Sequence, residues 1–271
     1  MLPGSKVILI TGASSGIGQA CAEYLARRGY CVYGTSRHAN PEGSREPSGF
    51  TLIQMDVTDD ASVARGVDLV VSREGRLDVA VNNAGIVMAG PIEDFTLDKA
   101  RSQFETNFFG VLRVCQAVLP VMRQQRSGHI INISSLAGRA AAPYQGLYSA
   151  SKFAVEGLSE ALHGEVRHFG IKVVLLEPGD TPTRNTASRL KIPSTPAYAP
   201  YYDNALKAYE YEERHGCSLD KFGPLLERII ENSHPRLRYM CGLMFQTAGA
   251  TLKNFVPYAL FEWALSKFYK F

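Results

Sequence analysis

Short apolar runs alternate with amphipathic stretches over the first two-thirds of the chain. KVILI, CVYGTS, FTLIQMDV, LDVAVNNAG, HIINISS and IKVVLLEPG are continuous rather than alternating, and rich in Val, Ile and Leu. Strands covered on both faces have this composition. The stretches between them carry helical periodicity. In the clearest, from Leu97 to Arg126, the residues Phe104, Phe108, Val111, Cys115, Val118 and Met122 recur three or four positions apart. A second helix is predicted from Tyr148 to Phe169. Strand–helix repetition of this kind predicts an α/β fold, a doubly wound parallel sheet that binds its ligands beyond the carboxyl ends of the strands.

The pattern changes after Thr183. NTASRLKIPSTPAYAPYYDNALKAYEYEERHG is rich in Pro and Tyr and contains no recognisable strand. It reads as a partly helical excursion over one rim of the sheet, of the length usual for a lid. SLDKFGPLLERIIENS predicts a further helix and PRLRYMCG a last strand. In the tail Tyr258, Phe261, Leu265 and Phe268 recur at helical spacing, with Glu262, Lys267 and Lys270 interspersed. Such a helix is expected to pack on its own domain or on a second copy. The alternatives are a wall of an apolar substrate pocket and a shallow, peripheral membrane contact. The expected organisation is one domain over 1–271: a core to residue 183, a lid over 184–235, and a last strand with a C-terminal helix over 236–271.

Composition narrows the function. With 271 residues, 45% of them hydrophobic and 20% charged, the chain has ample material for a core. A net charge of +3 without a long basic run points away from nucleic acid. The five cysteines are scattered and no C-x-x-C occurs. No histidine pair has metal-ligand spacing; His163 and His168 are five apart and do not share a helical stripe. No metal and no disulfide are expected. The absence of a signal-peptide pattern, and of any apolar run near 18 residues, suggests a cytoplasmic, reducing location.

Candidate chemistry begins directly after the first strand. In TGASSGIG, Thr11 to Gly18, Gly12, Gly16 and Gly18 allow a sharp turn and close approach to a ligand and to the sheet. The following helix offers free N–H groups to a pyrophosphate. The second strand ends in Ser36 and Arg37, with no carboxylate before Glu42. A carboxylate there would repel a 2′-phosphate, whereas Arg37 can pair with it, so NADP(H) is favoured. Ser14 and Ser36 can add hydroxyl contacts. Asp56 and Val57, at the end of the third predicted strand, suit the adenine. Further on, Tyr148 and Lys152 stand four residues apart and share one helical face. Chance gives about half a Y-x-x-x-K match in a chain of this composition, so the pair alone says little. A phenol beside an ammonium can nevertheless be drawn toward neutral pH and serve as an acid or base.

In this order the residues resemble the short-chain dehydrogenase/reductase family. TGASSGIG is similar to its cofactor turn, T-G-x-x-x-G-x-G, and extends the candidate cofactor residues to Ser15 and Ile17. Asp56-Val57 resembles its adenine contact, and Asn83, Ala84 and Gly85 belong to its N-N-A-G motif. Asn107 in TNFFG matches a helical asparagine, and Ser135 precedes Tyr148 by the usual thirteen residues. PGDTPT, with Pro178, Gly179, Thr181 and Thr183, is similar to its nicotinamide loop. The resemblance implies a Rossmann-like fold and hydride transfer between NADP(H) and a carbonyl or alcohol. By it, Tyr148 exchanges the proton, Lys152 lowers the phenol's pKa and holds the nicotinamide ribose, and Ser135 steadies the substrate oxygen. Asn107 would position a water in a proton relay, and Ser134 would be structural. The long helix around Asn107 and the one carrying Tyr148 would pair across a two-fold axis, giving a homodimer or homotetramer. The apolar tail and tyrosine-rich lid are similar to the branch holding 17β-hydroxysteroid and retinol dehydrogenases, which implies a lipophilic substrate. A 3-oxoacyl thioester reductase and a non-catalytic NADP(H)-binding redox sensor are the alternatives.

Overall fold

The continuous apolar runs fold as the strands of one parallel sheet. The computed structural model describes residues 5–183, 189–253 and 255–269. Residues 184–188, where the predicted lid begins, and Lys270 of the tail lie outside them. In chain order the elements are β1 (Val7–Ile10), α1 (Gly16–Arg27), β2 (Cys31–Ser36), β3 (Ser44–Arg45), β4 (Thr51–Gln54), α2 (Asp60–Glu74), β5 (Val79–Asn82), β6 (Met88–Ala89) and α3 (Leu97–Phe104). A π-helical turn (Glu105–Phe109) leads into α4 (Gly110–Gln125), β7 (Gly128–Ile133), α5 (Gly146–Val166) and β8 (Ile171–Pro178). Then come β9 (Leu190–Lys191), α6 (Ala199–His215), α7 (Phe222–Glu231), β10 (Arg238–Cys241), α8 (Met244–Leu252) and α9 (Tyr258–Tyr269).

The sheet order is β10-β8-β7-β5-β1-β2-β4-β3, parallel throughout except where β3 meets β4. Its direction of growth reverses between β1 and β5, the switch point at which doubly wound sheets bind ligands. Successive side chains go to opposite faces. Val7 and Leu9 join Val67, Val114, Val118 and Val155 on one face. Ile8 and Ile10 meet Leu25, Phe222, Leu226 and Ile229 on the other. The α/β Rossmann-like architecture anticipated from the sequence is therefore present. Among the described residues no helix is long and apolar enough to cross a membrane.

Three sequence expectations need correction. Asp56 and Val57 do not end a strand, because β4 stops at Gln54. Asp56 Oδ1 accepts bonds from the Thr58 amide and hydroxyl, and the Ser62 hydroxyl accepts from the Asp56 amide. This side-chain turn draws the backbone out of the ladder. The single helix expected from Leu97 to Arg126 is broken by the π turn around Asn107, whose side chain is bonded to two other segments. The lid, read as lacking a strand, contains β9. Leu190 of β9 and the adjacent Ile192 donate backbone bonds to Val87, just before β6, and to Ala89 within it, at 3.2 and 2.8 Å. A two-residue pairing leaves no periodicity to read.

At the β8–β10 edge a charge network is buried under α5. Glu177 is fully buried; Arg238 Nε lies 3.2 Å from it and 3.1 Å from Glu156, while the same guanidinium bonds Glu160. Burial pushes Glu177 up to about 7, aided by Glu156 and opposed by Arg139 and Arg238. Removing one partner of such a cluster leaves uncompensated buried charge. Arg238→Met is expected to lower unfolding stability by about 3 kcal/mol at pH 7.5, measured by urea denaturation. A loss below about 1 kcal/mol would mean that the carboxylates neutralise or hydrate without Arg238.

Candidate active site

The β1–α1 and β5–β6 loops interlock at the switch point. Thr11 Oγ1 accepts from the amides of Asn83 and Ala84, at 2.9 and 3.0 Å. Asn83 Nδ2 donates back to the carbonyls of Thr11 and Gly12, at 2.8 and 3.1 Å. A Cβ on Gly18 would lie 2.4 Å from that Nδ2, and one on Gly12 would lie 2.9 Å from the Ala84 backbone. Gly12 also has φ +66, and Gly16 φ +59, conformations that glycine adopts without strain. Asn83 and Gly18 thus form the frame of the cradle, while Gly12, Ser14, Ser15, Gly16 and Ile17 line it. Ser15 caps α1 without using its side chain for a capping bond. The first-turn amides of α1 therefore face the cavity as an anion site.

Ser36 and Arg37, at the end of β2, border the same cavity, as do Asp56 and Val57. Arg37 is exposed and takes part in none of the described ion pairs; its carbonyl accepts from Gln54 Nε2 at 3.2 Å. The donors and glycines fit a dinucleotide phosphate, and the cavity, about 1120 Å³, has room for a substrate beside it.

Tyr148 and Lys152 enter this cavity from α5. Lys152 is buried, and its Nζ donates to the Ile133 carbonyl at the end of β7, 2.8 Å away. It lies 5.9 Å from the centre of the Tyr148 ring. Burial pushes Lys152 down to about 8, with Glu156 opposing. The expected depression of Tyr148 by Lys152 is not found. Burial pushes the phenol up to about 12; Ser135 opposes this, and Lys152 is absent from its principal causes. Ser135 Oγ accepts from the Ala137 amide at 3.1 Å and makes a long bond, 3.5 Å, to the Pro178 carbonyl. Ser134 is buried, with its amide bonded to Leu176 and its hydroxyl without a partner.

Asn107 is brought close but serves as a brace. Its Oδ1 accepts from the Ile86 amide at 2.8 Å, and its Nδ2 donates to the Ile86 carbonyl and to Ser151 Oγ, at 3.0 and 3.1 Å. Ser151 in turn donates to the Tyr148 carbonyl at 2.7 Å. Gln103 grips the same loop through Ile86 and Met88. Pro178, Gly179, Thr181 and Thr183 line the cavity after β8, and Thr181 Oγ1 donates to the Gly179 carbonyl at 3.0 Å. Asp180, Arg189, Glu213 and Gln246 join them, four residues that the sequence analysis did not single out. Only Asp180, inside PGDTPT, carried a positional hint. The tail helix α9 packs on α6 of its own domain and lines the cavity through Leu260, Phe261, Leu265 and Phe268. No cluster of His, Cys, Asp and Glu that could hold a metal ion occurs among the described residues.

Known proteins share this fold. Residues 6–192 match the family model for short chain dehydrogenases. A 3-ketodihydrosphingosine reductase from Bacteroides thetaiotaomicron is 44% identical over 267 residues, 97% of this chain and 98% of its own. Retinol dehydrogenase 8 from Bos taurus is 34% identical, over 88% of this chain and 82% of its own. A short-chain dehydrogenase/reductase from Burkholderia phymatum, solved in complex with NAD, superposes with a TM-score of 0.79 at 25% identity, covering 92% and 93% of the two chains. The chain belongs to the short-chain dehydrogenase/reductase family. It is an oxidoreductase of that type.

Burying Lys152 has a stability cost with a definite pH signature. Its folded pKa lies below the unfolded value, so the unfolded chain holds more protons between about 8 and 10.5. The cost is therefore full below about 8 and fades as pH rises toward 10.5. Lys152→Met is expected to melt a few degrees higher than wild type at pH 6.5, an advantage that shrinks through pH 9. A melting-temperature difference that stays constant from pH 6.5 to 9.5 would show that charge burial is not its origin.

Proposed function

We propose that the protein is an NADP(H)-dependent reductase that converts a lipophilic ketone to a secondary alcohol, and that it runs the reverse oxidation at high pH. The observation that carries this reading is one continuous cavity. It has a phosphate cradle and Arg37 at one end, Tyr148, Ser135 and Lys152 at its middle, and the apolar side chains of α8 and α9 at its mouth. Arg37 and the absence of a carboxylate at the end of β2 favour the 2′-phosphate form of the cofactor. The apolar mouth favours a bulky hydrocarbon over a short acyl thioester, and the complete proton-transfer set argues against a mere redox sensor. A cytoplasmic homodimer or homotetramer goes with the same reading.

When bound, the dinucleotide supplies the hydride and, in its oxidised form, a positive charge. Tyr148 gives its phenolic proton to the carbonyl oxygen as the carbonyl carbon is reduced. Ser135 gives up its weak bond to Pro178 and donates to that same oxygen, where charge develops. Lys152, anchored by Ile133, keeps further N–H donors for the nicotinamide ribose. With a pKa near 8 it exchanges protons close to neutrality, which suits the refilling of Tyr148. The Asn107 side chain is committed to Ile86 and Ser151. Its amide therefore has no N–H left for a relay water, and the segment that carries it is a π turn, a distortion common at functional sites.

The test is NADPH oxidation, followed by absorbance, against small ketones, acetoacetyl thioesters, keto-steroids, retinal and long-chain ketones. Turnover confined to the bulky apolar carbonyls is expected; turnover of the thioester alone would overturn the substrate class. Tyr148→Phe should lower kcat by about 100-fold or more. Arg37→Ser should raise the KM for NADPH roughly 10- to 100-fold while leaving that for NADH nearly unchanged, which separates phosphate recognition from general damage.

A further inference from the structure

Just ahead of Tyr148 the cavity wall is a loop of small apolar residues, Ala140, Ala141 and Ala142, followed by one polar side chain, Gln145. Gln145 is only 7% exposed and stands at the N-cap of α5, yet its side chain caps nothing. Its main chain is satisfied: the amide donates to Ala142 at 3.2 Å, and the carbonyl accepts from Ser149 at 2.8 Å. The side-chain amide makes no hydrogen bond among the described residues. The buried amides of Gln103, Asn107 and Asn132, by contrast, are bonded at both oxygen and nitrogen. Nor is the Gln145 amide sealed into the protein. Its Oε1 and Nε2 both keep accessible surface, and the residue lines the cavity.

The segment that presents this residue is strained. Tyr144, immediately before it, has φ +59, a left-handed conformation unfavourable for an aromatic residue. Three contacts hold it there. Gly90 donates to the Tyr144 carbonyl at 2.8 Å, and the Tyr209 hydroxyl donates to the Pro143 carbonyl at 2.6 Å. The Tyr144 ring packs on that of Tyr202, with centres 5.4 Å apart. Such strain persists where the surroundings over-determine it, and an outlier beside a cavity points to a use. A primary amide has two donors and two acceptor positions. Leaving them unmet in a nearly buried site is a cost that a ligand's hydrogen bonds remove. A hydroxyl both donates and accepts, so it matches the amide without bringing in a charge that would need a counter-ion.

Resting on the ketone-reductase reading, we infer that Gln145 is a specificity-determining residue whose amide takes a hydroxyl on the carbon next to the reacting carbonyl. One helical turn separates it from Tyr148, which sets the two Cβ atoms about 5–6 Å apart. The substituent in its reach is therefore the one nearest the oxygen that Tyr148 protonates. Nε2 donates to the hydroxyl oxygen, and Oε1 accepts the hydroxyl hydrogen. The substrate class is then a long-chain α-hydroxy ketone and the product a vicinal diol. The carbonyl carbon gains the hydride and its oxygen the Tyr148 proton, while the neighbouring hydroxyl is neither lost nor oxidised.

The experiment compares three ketones of equal chain length, short enough to stay monomeric: a 2-hydroxy-3-ketone, its isomer with the hydroxyl moved to the far end of the chain, and the plain 3-ketone. Wild-type kcat/KM should favour the 2-hydroxy compound over both others by roughly 10- to 100-fold. Gln145→Leu and Gln145→Met should each bring that ratio toward unity, with NADPH fluorescence reporting that the variant is folded. Equal wild-type turnover of the three ketones would overturn the assignment and leave ketone reduction intact. So would a ratio that survives both substitutions, or turnover of none of the three while another ketone is reduced. If no ketone at all is turned over, the reductase reading falls and the role of Gln145 falls with it.

Discussion

A sheet covered on both faces can offer chemistry only at its strand ends, and the active site follows from that constraint. The main-chain groups of β1, β5 and β7 are spent in the ladder and their side chains in two apolar cores. Where the sheet changes direction, the loops after β1 and β5 separate and leave a crevice. Thr11 and Asn83 fix its width by bonding each loop to the other's backbone. Every candidate catalytic group is placed relative to that crevice by an element that ends beside it. Lys152 shows this most directly, because the carbonyl that holds its ammonium belongs to Ile133, the last residue of β7.

Desolvation sets the chemical character of the ionisable groups, and the partners decide whether it is tolerated. Glu177 and Asp180 are both raised to about 7 by burial. Glu177 sits between Arg139 and Arg238, and its role is to hold β8, β10 and α5 together. Asp180 accepts from Gln246 and lines the cavity, with Glu213 and Glu212 raising it further and Arg189 opposing. The same physical cost is met by an ion-pair network in the first case and falls on the cavity wall in the second. Lys152 belongs with Asp180: its burial destabilises the fold and leaves a proton exchanger near neutral pH.

The bracing behind the site explains how flexible side chains hold a fixed arrangement. The π turn at 105–109 presents Asn107 to the Ile86 backbone and to Ser151, and Ser151 is bonded to the carbonyl of Tyr148. A second buried chain runs from Asn82 through Asn132 to Ser159 and links β5, β7 and α5. α5 is thus held by polar contacts at two levels, whereas α8 and α9 wall the cavity largely with apolar side chains among the described residues. Met244 and Phe255 there are more than three-quarters exposed. A rigid catalytic face opposite a loosely walled mouth suits chemistry that needs precision on a substrate that needs room.

The sequence by itself determined the sheet, the glycine turn, the Tyr148–Lys152 face and the positions of Ser135 and Asn107. The sheet, the glycine turn and the Tyr148–Lys152 face rest on local periodicity and spacing, which a chain carries in its residue order; Ser135 and Asn107 were marked by the resemblance to the family. It did not determine the π turn, the two-residue strand β9 or the end of β4 before Asp56. The first two are decided by bonds between segments far apart in the chain, the third by a side-chain turn between Asp56 and Ser62 that leaves no periodic signal. The same holds for Asn107, which motif order put beside the relay and tertiary contacts turned into a brace. Protonation was further out of reach. An ammonium beside a phenol in sequence suggests a lowered phenol pKa, yet burial of the phenol raises it. Only the fold brings Asp180, Arg189 and Glu213 to one end of one cavity, because charge balance in a buried site depends on neighbours in space that residue order does not reveal.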